Sequence, residues 1–276
     1  MVAQLVGEVK GLGRIYQSAN PLHKQICDFQ EVGIQHPYLV SFDDAVAIRL
    51  AGLSRDFTRT NLLPVKVKGE NTILARVQHN PLMAPAMAKV AVEVHKRGEY
   101  LLQDRVFYEF LKEMALNENG LEPEDRSAHI LEGKVNDGKL DLTSEMADTR
   151  FILGERVAEY FDRFHKSKSI PAYDLDSSRC PKDECIVNYS WFNCPVIGSY
   201  LGFRNRGLYN VDRAFGVLRS TEGAHATKNL GYSLTKIRDA SNKVVVEVLT
   251  EKGFSGAIEK VSQSISNGLL KKLRTE

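Results

Sequence analysis

The chain has 276 residues, 43% hydrophobic and 26% charged, which is ordinary usage for a folded protein and excludes wholesale disorder. A net charge of +2 names no partner, and four cysteines do not make a disulfide framework. No run approaches the ~20 apolar residues that a membrane-spanning helix needs.

The opening residues, Met1 to Val9, carry Glu8 and lack the basic-then-apolar pattern of a secretory leader, so the cytoplasm is the expected compartment. Val2 to Val9 is apolar enough for a strand. Residues 11–38 read as irregular, with Gly11, Gly13, Pro21, Gly33 and Pro37. Ser41 followed by Asp44 starts a helix running to about Leu53, apolar at Phe42, Val46, Leu50 and Leu53. Leu62 to Lys68 and Thr72 to Gln78 are β-rich runs joined by Gly69-Glu70-Asn71, a hairpin signal. A helix is expected from Pro85 to about Arg97. Another follows over Glu99 to Leu116, with Leu102, Val106, Phe110 and Met114 at spacing four.

Residues 117–143 read as loop, Ser144 to Lys166 as one long helix, and 167–182 as a linker or surface loop. Alternation then predicts strands over Ile186 to Phe192, Arg213 to Arg219, Leu230 to Ile237 and Lys243 to Leu249. A closing helix starts at Ser255. The order strand, helix, hairpin, helix predicts an α+β fold, a ferredoxin- or RRM-like βαββαβ core with a helical insertion and a strand-rich C-terminal part. The parts are 1–116, 117–182 and 183–276, read together as one integrated domain.

Charge is unevenly placed. Residues 113–148 are acidic, whereas 201–243 carry Arg204, Arg206, Arg213, Arg219, Lys228 and Lys236 among Phe203, Tyr209 and several glycines. A second basic cluster holds Arg49, Arg55, Arg59, Lys66 and Lys68. Basic groups neutralise phosphates and aromatic rings stack on unpaired bases, so this pattern points to single-stranded nucleic acid, RNA first. The same residues also suit ordinary solvated strand faces with the aromatics in the core.

Two chemical alternatives stand beside it. Cys180, Cys185 and Cys194, with His165 upstream, can supply part of a tetrahedral zinc site, although no CxxC pair is present. Glu132 and Lys134 form a Glu-x-Lys pair after an apolar run. With Asp125 or Asp141 they can hold magnesium and assist an attacking water, as a nuclease requires. No phosphate-binding glycine loop, HExxH or GxSxG is present, and no other cofactor is expected.

His36-Pro-Tyr-Leu-Val-Ser41 leading into DDAVAIRLAGL, with the opening Val6-Gly-Glu-Val-Lys-Gly-Leu-Gly13, resembles RAMP-superfamily backbone subunits of CRISPR effector complexes. That resemblance implies an RNA-recognition-like core repeated along a guide RNA, with Arg49 and the 201–243 segment as RNA contacts. The expectation is therefore a non-enzymatic RNA-binding subunit of a ribonucleoprotein that self-associates or joins a larger complex, with no membrane partner. A magnesium-dependent nuclease and a self-assembling structural protein are the alternatives.

Overall fold

The computed structural model describes residues 3–34, 39–54, 57–76, 101–133, 138–164, 169–178, 180–193, 200–203 and 213–219. The chain divides into units Met1–Gly223 and Ala224–Glu276, and the described residues all belong to the first. The helices expected over 85–97 and from Ser255, and the strands expected over 230–237 and 243–249, lie outside them.

Strand β1 (Gln4–Val9) turns back on β2 (Gly13–Ser18) through Gly11, whose φ of 80° is a left-handed conformation that suits glycine. Helix α1 (Leu22–Glu31) buries Leu22, Ile26 and Phe29, one face at spacings of four and three. Helix α2 (Phe42–Leu50) starts as its sequence says, with the Asp44 amide donating to Ser41 Oγ at 3.0 Å. Strands β3 (Thr58–Arg59), β4 (Leu62–Lys66) and β5 (Ile73–Arg76) follow, β4 and β5 pairing antiparallel across a turn that holds Gly69 at φ 84°.

Strand β6 (Leu101–Asp104) leads into α3 (Arg105–Asn117), whose Val106 amide is capped by the Asp104 carboxylate at 2.8 Å. A short 3-10 turn, Pro123–Asp125, precedes β7 (Ala128–Ile130) and β8 (Lys139–Thr143). Helix α4 (Ala147–Leu153) ends at Gly154, φ 66°, and a second 3-10 turn, Gly154–Arg156, passes into α5 (Val157–Phe164). Strands β9 (Ser169–Tyr173), β10 (Glu184–Val187), β11 (Trp191–Phe192), β12 (Leu201–Gly202) and β13 (Ala214–Leu218) complete the described chain.

These strands form two sheets. One has eight strands in the order β1-β2-β13-β3-β11-β12-β9-β8, with parallel pairs at β13/β3 and β12/β9. The other has five, β6-β10-β4-β5-β7, all antiparallel. Alternate residues of the five-stranded sheet enter different cores. Leu62, Leu74 and Ile186 join α2, α4 and α5 in one cluster, whereas Leu63, Val65, Ile73, Ala75, Cys185 and Val187 join α1 and α3 in the other. Both faces of this sheet are therefore buried, and strict period-2 alternation sorts the side chains between them.

The expected ferredoxin- or RRM-like core is overturned. That plan needs β1 and the β4–β5 hairpin in one sheet, and they lie in different ones. The residues read as irregular between 11 and 38 contain β2 and α1, and the expected loop 117–143 contains β7 and β8. The expected linker contains β9, which sits between β12 and β8 in the larger sheet. The run Ile186 to Phe192 is not one strand. Its halves β10 and β11 serve different sheets, and the crossing is fixed by Asn188 N donating to Pro64 O and Ser190 N to Leu62 O. Strands from residues 1–116, 117–182 and 183–219 all share the eight-stranded sheet. Among the described residues no helix is long and apolar enough to cross a membrane.

Candidate functional site

The N-terminus of α2, the end of β5, the turn Pro123–Asp125 and the junction of α4 with α5 enclose a cavity of about 270 Å³. Its charged lining is Asp43, Arg76, Glu124, Asp125, Glu155 and Arg156, with Ser41, Asn61 and the backbone of Gly154 between them. Each charged residue sits at an element end or in a turn, where the chain is released from sheet and helix packing. Gly154 lets the Asp43 carboxylate approach closely: a Cβ at that position would lie 3.0 Å from Asp43 Oδ1.

The arginines of the cavity are already engaged. Arg76 donates to the carbonyl of Glu124 and, at 2.6 Å, to that of Phe151, and its guanidinium lies 4.6 Å from the centroid of the Phe151 ring. Arg156 approaches Asp43 Oδ1 at 3.8 Å and Glu159 at 3.7 Å, both long ion pairs. On the rim, Arg150 holds Glu124 Oε1 and Glu122, each at 2.7 Å.

Two carboxylate oxygens differ from the rest. Asp43 Oδ1 and Glu124 Oε2 are shut off from bulk solvent, and neither accepts a hydrogen bond. Enclosed acceptors without donors are costly. Burial, reinforced by the neighbouring charge of Asp44, pushes the Asp43 carboxyl up to about 6 against the pull of Arg156 and Arg76. Burial acts most strongly on Glu124 and would raise it, but the hydrogen bond from Arg150, a hydrogen bond from its own backbone and the charges of Arg150 and Arg76 together hold the carboxyl below the usual range.

The residues expected to meet RNA are placed otherwise. Arg49 is 2% exposed, donates to the Phe192 carbonyl at 3.0 Å and stacks 3.9 Å from the centroid of the Phe192 ring. Arg59 is buried within β3, and Phe203 is fully buried in the core. Lys66 of the same basic cluster forms an ion pair with the buried Asp174. Arg219 is paired with Asp44 at 3.0 Å, and Arg213 is exposed. Arg55, Arg204, Arg206, Tyr209, Lys228 and Lys236 lie outside the described residues.

For the nuclease alternative, Glu132 and Asp141 are both exposed, and Lys134 lies outside the described residues. Asp125 lines the cavity. Cys180 and Cys185 are buried, with their thiols donating to the carbonyls of Glu184 at 3.1 Å and Asp104 at 3.6 Å. Burial raises both thiols, Cys185 to about 12, which favours the protonated form over the thiolate that a metal binds. Cys194 and His165 lie outside the described residues. Among the described residues no group of three or more His, Cys, Asp or Glu is arranged to hold a metal ion.

A buried polar chain escaped the sequence reading. His129 and Asp148, 2% and 1% exposed, meet at 2.7 Å. Arg126 reaches His129 Nδ1 at 3.3 Å and can only donate, so Nδ1 accepts and Nε2 carries the hydrogen shared with Asp148. Asp148 also accepts from the amides of Glu132 at 3.2 Å and Gly133 at 3.0 Å. Though it has the residue types of a catalytic dyad, the pair is sealed from solvent and ties the end of β7 to α4.

No family model matches the chain, and no curated protein matches it. A solved structure described as the accommodation of massive sequence variation in Nanoarchaeota by the C-type lectin fold is similar over 77% of this chain and 99% of that one, at 14% identity and a TM-score of 0.50. At that identity the likeness speaks for fold alone. It overturns the resemblance to CRISPR backbone subunits and, with Arg49, Arg59 and Phe203 inside the protein, the expectation of an RNA-binding ribonucleoprotein subunit. The architecture is similar to a C-type lectin fold, built from a mixed eight-stranded sheet and an antiparallel five-stranded one.

Proposed function

We propose that this chain is a recognition protein that holds a small polar ligand in the cavity between α2, β5 and the α4–α5 junction. The observation that carries this reading is the cavity itself, lined by the carboxylates of Asp43, Glu124, Asp125 and Glu155 and by Arg76 and Arg156. A ligand bearing N–H or O–H groups can donate to carboxylates of this lining. The cavity volume of about 270 Å³ suits a small molecule or a single side chain rather than a polymer.

The fold is compatible with this role. A fold described, for the similar structure, as accommodating massive sequence variation is compatible with recognition. The test is calorimetry with the full chain at pH 7.5 against three chemical classes: neutral polyols, organic anions and organic cations. Saturable binding of one class, weakened in Asp43→Asn, supports the reading. Absence of saturable binding in all three removes it.

A further inference from the structure

Asn119 and Gly120 follow the C-cap of α3, Glu118, and both are exposed. In an Asn-Gly pair the glycine nitrogen can reach the preceding side-chain amide, because glycine has no Cβ to stand in the way. A Cβ at Gly120 would meet nothing within 4 Å, so the surroundings do not shield that nitrogen either. Its neighbours are tied, with Asn119 N donating to Leu116 O and Leu121 N to Glu118 O. Among the described residues the Gly120 amide itself makes no hydrogen bond.

A fixed cation stands on the other side of the same residue. Arg126 is only 8% exposed and donates to the main-chain carbonyl of Asn119 at 3.1 Å. Its Nε donates to the Leu121 carbonyl at 2.9 Å, and its contact with His129 Nδ1 at 3.3 Å ties it into the buried chain that ends at Asp148.

We infer that Asn119–Gly120 is a self-modifying site whose product is an isoaspartyl linkage with its free carboxylate on Arg126. The chemistry needs only water and hydroxide. Hydroxide takes the Gly120 amide proton, and the nitrogen bonds to Asn119 Cγ. The Cγ–Nδ2 bond breaks, and ammonia leaves with a proton from water. A cyclic imide remains, and water opens it at one of two carbonyl carbons. Attack at Cγ restores the ordinary backbone and leaves an aspartate. Attack at the main-chain carbonyl carbon breaks its bond to the Gly120 nitrogen, so the chain now runs through Cγ and the former main-chain carbonyl becomes a carboxylate. Arg126 donates to the oxygen of that second carbon, where negative charge builds as water adds, and thereby favours the isoaspartyl product. The guanidinium then holds the carboxylate that forms, a stronger contact than the one to a neutral carbonyl.

The experiment incubates the full native chain at pH 8 for days, beside a synthetic peptide of residues 115–124, which lacks Arg126. Peptide mapping with electron-transfer fragmentation distinguishes asparagine, aspartate and isoaspartate at position 119. The other Asn-Gly pair, Asn267–Gly268, is read on its own peptide. The native chain should convert Asn119, with an isoaspartate-to-aspartate ratio about threefold or more above that of the peptide, the factor a hydrogen bond of ordinary net strength supplies. Gly120→Ala and Asn119→Gln, both shown to be folded by circular dichroism, should lose the product. Retention of the Asn119 amide in the native chain while the peptide converts overturns the site. A ratio equal to that of the peptide overturns the part given to Arg126. Undiminished conversion in Gly120→Ala overturns attack by this nitrogen.

Discussion

Replacing Arg49 tests the corrected place of that residue most directly. Its guanidinium is buried, donates to the Phe192 carbonyl at 3.0 Å and lies 3.9 Å from the centroid of the same residue's ring. Arg49→Ala removes a charge-assisted hydrogen bond of ~1.5–3 kcal/mol and a desolvated cation–π contact of ~2 kcal/mol. It also removes the cost of burying the guanidinium, which acts in the opposite direction. The net loss is about 3 kcal/mol, at the lower edge of what breaking a buried charged contact usually costs. For a folded unit of this size that is a fall of roughly 6–12 °C in Tm. Urea denaturation at 25 °C and a thermal scan both read it. Arg49→Lys should recover only part, because an ammonium cannot reproduce the planar fork over the ring. A loss below ~1 kcal/mol for the alanine variant would refute the assignment of Arg49 to the core.

Gly202 stands opposite Trp191 in the β11–β12 pair, and a Cβ there would lie 1.8 Å from the indole, so Gly202→Ala should cost ~1–3 kcal/mol in urea denaturation; an unchanged midpoint would disprove that register. Asp148→Asn presents an amide where His129 and two backbone amides all donate, and it should destabilise by ~1–3 kcal/mol, read as a lowered urea midpoint. In native protein carrying Cys194→Ser, a thiol reagent at pH 8 should modify the exposed Cys27 quickly, and Cys180 and Cys185 only after unfolding; fast modification of all three would contradict their burial. Because the folded Asp43 carboxyl is raised from 3.8 to about 6, its contribution to stability is complete below pH 3.8 and is lost as pH rises through 6. Asp43→Asn should therefore stabilise the protein at pH 7.5, by no more than ~1 kcal/mol since the side chain is half exposed, and the gain should vanish by pH 4 in denaturation curves taken across that range.

Local signals in the sequence were legible wherever a single element decides its own form. Ser41 and Asp44 mark the start of α2, and Gly69 marks the turn of the β4–β5 hairpin. The failures have a common physical origin in packing. On α3 the stripe Leu102, Val106 and Phe110 looks like a core face, yet these residues are 41, 71 and 44% exposed, while Tyr108, Leu111 and Ala115 are buried. Leu102 belongs to β6, so the apparent helical stripe begins on a strand. The strands β7 and β12 are two or three residues long, too short to show a period, and their neighbours in the sheet stabilise them. The long helix expected from Ser144 breaks at Gly154, where the backbone takes a left-handed φ against Asp43.

Charge misled for a related reason. The acidic run from 113 to 148 looks like a solvated face, but much of it is structural: Glu118 accepts the amides of Ser127 and Ala128, Glu122 and Glu124 hold Arg150, and Asp148 lies in the core. The basic cluster at 49–68 likewise turns inward through Arg49, Arg59 and Lys66. A sequence shows where charges fall along the chain, but pairing in three dimensions decides which of them remain available to a partner. The cavity makes the point in reverse, since Asp43, Arg76, Glu124 and Arg156 come from four separate stretches that no spacing rule connects.

The cavity lies where the fold has most freedom to change. The interiors of β4, β5 and β10 are committed on both faces, one to each core, so a polar substitution there would place an unpaired group in an apolar layer. The lining residues instead occupy the first turn of α2, the last residue of β5 and two short 3-10 turns. Arg76 ties the Pro123–Asp125 turn to α4, whereas Asp43 and Arg156 approach one another only at 3.8 Å. A change of charge at Asp43 or Arg156 therefore alters the character of the cavity at little cost to either core. In this architecture the charge of the cavity can vary separately from the packing that maintains the fold.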